Sequence, residues 1–120
     1  MPHEAESNRD YEYLFDVADA MRLALEFAAG MTRDQFQRDI KTQDAVIRRL
    51  TVLGEAVKRI SPATRDRYPY IPWREMAGMR DVIVHDYQRV DFDTIWQVLT
   101  EDLPPVLAKI TLIIDQTPRQ

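Results

Sequence analysis

The run Trp73-Arg74-Glu75-Met76-Ala77-Gly78-Met79-Arg80-Asp81-Val82-Ile83-Val84-His85-Asp86-Tyr87 lies just past the middle of the chain. Drawn as one helix from Trp73, it places Trp73, Met76, Ala77, Arg80, Ile83, Val84 and Tyr87 at the i, i+3, i+4, i+7 spacing of a single face. A permanent cation therefore interrupts an apolar stripe. Burying an unpaired guanidinium costs on the order of several kcal/mol, so a carboxylate, a subunit surface or a phosphate group is expected against Arg80.

On either side of this run the periodicity is helical and strand signals are nearly absent. A first helix is expected from Asp10 to Ala29, with Leu14, Val17, Ala18, Met21, Leu25 and Ala28 in register and Gly30 as its stop; residues 1–9 are expected as a flexible tail. Thr32 and Gln35 have the form of a capping box opening a short helix, Arg33 to Arg38. A second long helix from Thr42 to Ile60 has Val46, Leu50, Leu53, Val57 and Ile60 as its seam, and Gly54 beside that seam permits close backbone approach. Ser61-Pro62 reads as an N-cap and first helical position of a short turn ending at Tyr68-Pro69. The helix from Pro72-Trp73 fades near Asp86. Asp91 caps the last long element, with the stripe Phe92, Ile95, Trp96, Leu99, Leu103, Val106, Leu107, Ile110 and Ile113, in which Pro104-Pro105 imposes a kink or brief break.

These stripes predict an all-α fold: an antiparallel up-and-down bundle of four long helices plus short helical turns, in a single domain spanning residues 1–120. The stripes are generous for one small bundle. Exposure left at Trp73, Met76, Val82 or Phe92 would favour a second copy of the chain, so a homodimer is expected.

Composition narrows the chemistry. The chain has 120 residues, no cysteine and only two histidines, His3 and His85, which argues against thiolate chemistry, disulfides or a zinc site; no metal or cofactor is expected. No apolar run approaches the roughly 20 residues of a membrane span, and the start resembles no export signal, so a cytoplasmic location is expected. The formal net charge is −4, unfavourable for a nucleic-acid partner, yet it is unevenly spread. Residues 48–89 hold nine basic and five acidic side chains, net +4, whereas both flanking segments are acidic. Thirteen of the sixteen basic residues are Arg, whose planar fork suits phosphate. Arg48, Arg49, Arg59, Arg65, Arg67 and Arg74 read equally well as a solvated, ion-paired face.

His85 sits near a helix end, where the macrodipole favours its protonated form and where it reads as a proton carrier or as a plain cap. On an ideal helix Arg80 and His85 are about 7.5 Å apart along the axis and about 140° apart around it, so they diverge. A twofold axis beside this helix end would bring two copies of each to one crevice. There the arginines could hold a phosphodiester while a histidine moves a proton.

The stretch Ile71 to Tyr87, with Arg80, a four-residue gap, His85, a one-residue gap and Tyr87, resembles the signature of HepT-like toxins of the HEPN superfamily. Ala45 to Leu50, Leu53-Gly54-Glu55-Ala56 and Trp96 to Pro104 resemble the same family, so the likeness covers nearly the whole chain. It implies the toxin of a two-gene toxin–antitoxin system, a homodimer that cuts RNA without a metal by attack of the 2′-hydroxyl on the adjacent phosphate. The implied roles are phosphate binding for Arg80 and proton transfer for His85. Tyr87 is the implied site of AMP transfer from ATP by an MntA-like nucleotidyltransferase, which silences the toxin. Asp81 and Glu55 are candidate supporting residues, Asp81 one turn before His85, and Glu55 on a polar stripe with Asp44 where a salt bridge to Arg48 or Arg59 is an equal reading.

A rival reading from another class is a non-catalytic HEPN scaffold for a nucleotidyltransferase, with Arg80 on ATP or on the partner. The intact Arg80 and His85 favour the enzyme. A bare structural bundle leaves the arginine in the apolar stripe unexplained.

Overall fold

The computed structural model describes residues 2–84 and 90–117, with side chains at 9–79, 81, 83 and 90–117. The regular elements among them are all helical: α1 (Pro2–Phe27), α2 (Arg33–Arg38), α3 (Ile40–Lys58), α4 (Pro62–Arg67), α5 (Trp73–Ala77), α6 (Met79–Val84), α7 (Phe92–Gln97), a π-helical turn (Val98–Asp102) and α8 (Leu103–Gln116). The fold is the all-α helical bundle that the periodicity predicts. No helix among the described residues is long and apolar enough to cross a membrane.

At the centre stands α3. Its seam of Val46, Leu50, Leu53 and Val57 is wholly inaccessible to solvent, and Ile60 just beyond it is buried. Leu14, Val17, Ala18 and Met21 form the buried face of α1, and Ala28 just beyond its end is buried too. These two helices pack along their lengths, α8 lies on α1, and both α5 and α6 dock on α3. The short α2 reaches from α3 to α7, where Phe36 meets the rings of Phe92 and Trp96 at centroid distances of 6.3 and 5.4 Å.

Local chemistry sets the boundaries. Gly30 ends the first turn region with φ at +77°, a conformation that costs glycine nothing and other residues about 1 kcal/mol or more. The capping box is present, with the Gln35 N–H donating to Thr32 Oγ1 at 3.2 Å and the Thr32 N–H donating to Gln35 Oε1 at 2.9 Å. Asp39 caps α3 by accepting from the Thr42 N–H and hydroxyl at 3.0 and 2.8 Å. Asp91 caps α7 in the same way through Thr94 and the Asp93 N–H.

Both capping carboxyls are held below the usual carboxylate range, Asp39 chiefly by the Thr42 amide and Asp91 chiefly by the Thr94 hydroxyl. A depressed folded-state pKa stabilises above the unfolded value, about 3.9 for Asp, and that contribution fades as pH falls through the lower folded value. Thermal melts should therefore show the wild-type protein losing more stability as pH falls from about 5 to below the unfolded carboxylate value of about 3.9 than an Asp39→Ala/Asp91→Ala double variant. An equal loss in both would assign acid lability to other carboxylates.

Four features depart from the periodic reading. Helix α1 starts at Pro2, ahead of Asp10, because no helix breaker follows the proline and its missing N–H is an orphan at that position anyway. The helix expected from Trp73 divides at Gly78, a poor helix former with φ −79° and ψ −5°, so the stripe drawn from Trp73 to Tyr87 does not run unbroken. Trp73 and Met76 are buried rather than left for a second copy, since the indole N–H donates to the Tyr68 carbonyl at 2.9 Å and draws the ring inward. Phe92 is half-buried against Phe36, and among the described residues the large apolar side chains that remain exposed are Phe15, Phe27, Ile40, Tyr70 and Leu112. The strain at Pro104-Pro105 is taken up by the π-helical turn, in which the Leu103 N–H reaches Val98 O just before two residues with no N–H to give.

Candidate functional site

Because α6 docks on α3, Arg80 and Asp81 are carried on a short helix held against the one that bears Gly54 and Glu55. Ile83 anchors α6 by burial, and Gly54 is buried on α3 next to the seam. Arg80 is the second residue of α6. The Asp81 side chain is exposed in the first turn of that helix. His85 and Tyr87, and Asp86 between them, lie outside the described residues.

Glu55 is half-buried and lines a groove of about 670 Å³ between α1 and α3. Arg48, Arg49 and Arg59 line the same groove, facing Tyr13 and Asp16 across it. Asp44, grouped with Glu55 by sequence spacing, is exposed and is not among the residues lining it. The arginines of the basic middle segment thus separate by role. Arg65 is half-buried and donates to the Val57 carbonyl at 2.7 Å, pinning α4 to the end of α3, a structural duty rather than a solvated one. Arg67 and Arg74 are exposed. The guanidinium groups of Arg48, Arg49 and Arg59 make no hydrogen bond or ion pair with another described residue.

Asp10 is a residue that sequence reasoning used only as a helix start. It is buried, accepting from the Ser61 N–H at 3.1 Å and from the hydroxyls of Ser61 and Thr64, and so ties α1 to the capped start of α4. The signal was available: Asp10 stands at i−4 from Leu14 and i−7 from Val17, an acid in the core stripe. Among the described residues no group of three or more His, Asp or Glu side chains is placed to hold a metal ion.

Comparison with known proteins adds to this geometry. The family model described as Ribonuclease HepT-like matches residues 17–113, a span that includes Arg80, His85 and Tyr87. The chain is similar to "Probable ribonuclease HepT" of Thermococcus cleftensis, 44% identical over 98 residues that cover 82% of this chain and 89% of the relative. It is similar to "Putative RNase MJ0127" of Methanocaldococcus jannaschii, 38% identical over 102 residues, 85% of this chain and 84% of the relative. A further relative there, "Putative RNase MJ0125", is 37% identical over 102 residues, 85% and 88% of the two chains. No solved structure matches the chain.

Proposed function

The chain belongs to the HepT-like ribonuclease family, and from that membership we propose that it is a metal-independent endoribonuclease, the toxin of a toxin–antitoxin pair, acting as a homodimer through Arg80 and His85. The observation that carries this reading is the spacing Arg80, four residues, His85, one residue, Tyr87, whose arginine is borne by α6 on its α3 support. In the proposed reaction His85 takes the proton of a ribose 2′-hydroxyl, and the freed oxygen attacks the adjacent phosphorus. The bond from phosphorus to the 5′-oxygen breaks. That oxygen leaves with a proton supplied by the imidazolium of the partner subunit's His85. One fragment ends in a 2′,3′-cyclic phosphate and the other in a 5′-hydroxyl, and Arg80 neutralises the charge that builds on the phosphoryl oxygens.

Tyr87 is the proposed point of control. Its phenolic oxygen attacks the α-phosphorus of ATP held by an MntA-like nucleotidyltransferase, pyrophosphate leaves, and the tyrosine carries AMP. The added bulk and negative charge then stand two residues from His85, where they oppose an RNA phosphate by contact and by like charge.

One series of incubations tests both halves. RNA treated with the protein in excess EDTA should yield cyclic-phosphate and 5′-hydroxyl ends. Pretreatment with the nucleotidyltransferase and ATP should add AMP mass and stop cleavage, while Tyr87→Phe stays active and unmodified. Cleavage that requires a divalent ion would overturn metal independence. No cleavage at all, together with a tight complex with the nucleotidyltransferase, would favour the scaffold reading.

A further inference from the structure

We propose that the groove between α1 and α3 binds a single-stranded segment of the RNA, using Arg48, Arg49 and Arg59 as phosphate contacts; this assigns a substrate surface to the reaction above and rests on that reading. Positions 48, 55 and 59 recur at i, i+7 and i+11, so Arg48, Glu55 and Arg59 form one stripe along α3, with Arg49 beside it. The stripe runs about 16 Å along the helix axis, long enough to meet more than one phosphate.

Two features separate this groove from an ordinary solvated face. The three guanidiniums are unpaired among the described residues, although acids stand close by; Asp19, which also lines the groove, is bound to Arg22. A folded surface that needed only solubility would normally mix Lys with Arg, whereas every cation lining the groove is Arg, the side chain shaped for phosphate. The groove's contents also point to single strands rather than duplex. Its Asp16 carboxylate repels phosphate but accepts hydrogen bonds from the amino and imino groups of unpaired bases, and Tyr13 offers a ring on which a base can stack. Duplex RNA hides those base edges in a deep, narrow groove.

A smaller, acidic concavity supplies a contrast. It measures about 420 Å³ between α5 and the start of α8, with Met76 and Met79 on its floor and Glu75, Glu101 and Asp102 on its rim. It has no basic lining residue, so it would repel a polyanion.

The test is binding of a fluorescent single-stranded RNA oligonucleotide with 2′-O-methyl riboses, which lacks the attacking hydroxyl and so reports affinity without cleavage. Arg48 and Arg59 are exposed, so the double variant Arg48→Ala/Arg59→Ala should keep the helical spectrum. Its affinity should fall at least about tenfold at low salt, and the slope of log affinity against log salt should flatten by about 1.4, the value for two lost contacts to a single strand. Tyr13→Leu should weaken binding with the slope unchanged. Wild-type affinity and slope in the double variant would overturn the proposal, as would light scattering showing that the variant has only lost a subunit contact. Binding of the oligonucleotide by a wild-type protein that cuts no RNA would refute the ribonuclease and leave the groove standing. Full cleavage with no loss of binding in the double variant would do the reverse.

Discussion

His85→Ala should lower the rate of RNA cleavage by about 10²- to 10⁴-fold, the span that a placed general acid–base contributes. The drop should fall on kcat. Arg80 on α6 and the arginines of the α1–α3 groove remain to bind substrate, so KM should change little, the pattern of an interaction made in the transition state rather than in the bound ground state. The fold supplies the control. The described core draws on every helix and on the π-helical turn except the short α4, with Ile83 as the anchor of α6, so the variant's helical spectrum and melting point should match the wild type. Arg80→Ala should differ in kind, raising KM as well as lowering kcat, because it removes a charge that meets phosphate in the bound ground state and meets it more strongly as charge builds in the transition state. Cleavage by His85→Ala at the wild-type rate would reject the proton-transfer role and return the protein to the scaffold reading.

Much of the architecture was legible because short-range rules govern it. The α3 seam, the Gly30 stop, the Thr32–Gln35 box and the Asp91 cap each depend on residues within one or two turns of each other, and each stands as read. What sequence could not order were choices settled across the fold. Gly78 stands between residues of one helical face, and the sequence alone did not say that the chain would divide there, with Trp73 and Met76 buried on one side and Ile83 on the other, into α5 and α6. The proline pair marked a break in the last helix without saying that a π-helical turn just before it would absorb the strain. Trp73 stood in the apolar stripe but was among the residues whose leftover exposure was considered, because its partner is the carbonyl of Tyr68 in a loop, a group with no sequence signature. At the candidate site the motif and its spacing could be read in full, whereas the groove of Arg48, Arg49 and Arg59 against Tyr13 and Asp16 needed α1 and α3 to be placed side by side.

Phe36→Ala should destabilise the protein by about 3–5 kcal/mol, out of a total that for such domains is about 5–15 kcal/mol. The ring is wholly buried and is the one buried residue of α2, a helix of six residues too short to persist without tertiary contacts. It packs edge-on to Phe92 and in a tilted stack against Trp96, so its loss empties the space that fastens α2 to α7. The polar links across the same junction do not compensate. Gln43 donates to the carbonyls of Phe36 and Gln37 at 2.8 and 2.9 Å, which orders the end of α2 but not its grip on α7. The ion pair of Arg33 with Asp93 is more than half exposed on both sides, and such pairs contribute about 0–1 kcal/mol. Denaturant unfolding should therefore rank Phe36→Ala far below Arg33→Ala, with Phe36→Leu between them because it refills most of the volume. If Arg33→Ala proved as damaging as Phe36→Ala, the junction would be held by charge, and the apolar account of how α7 and the following π-helical turn are positioned would have to be abandoned.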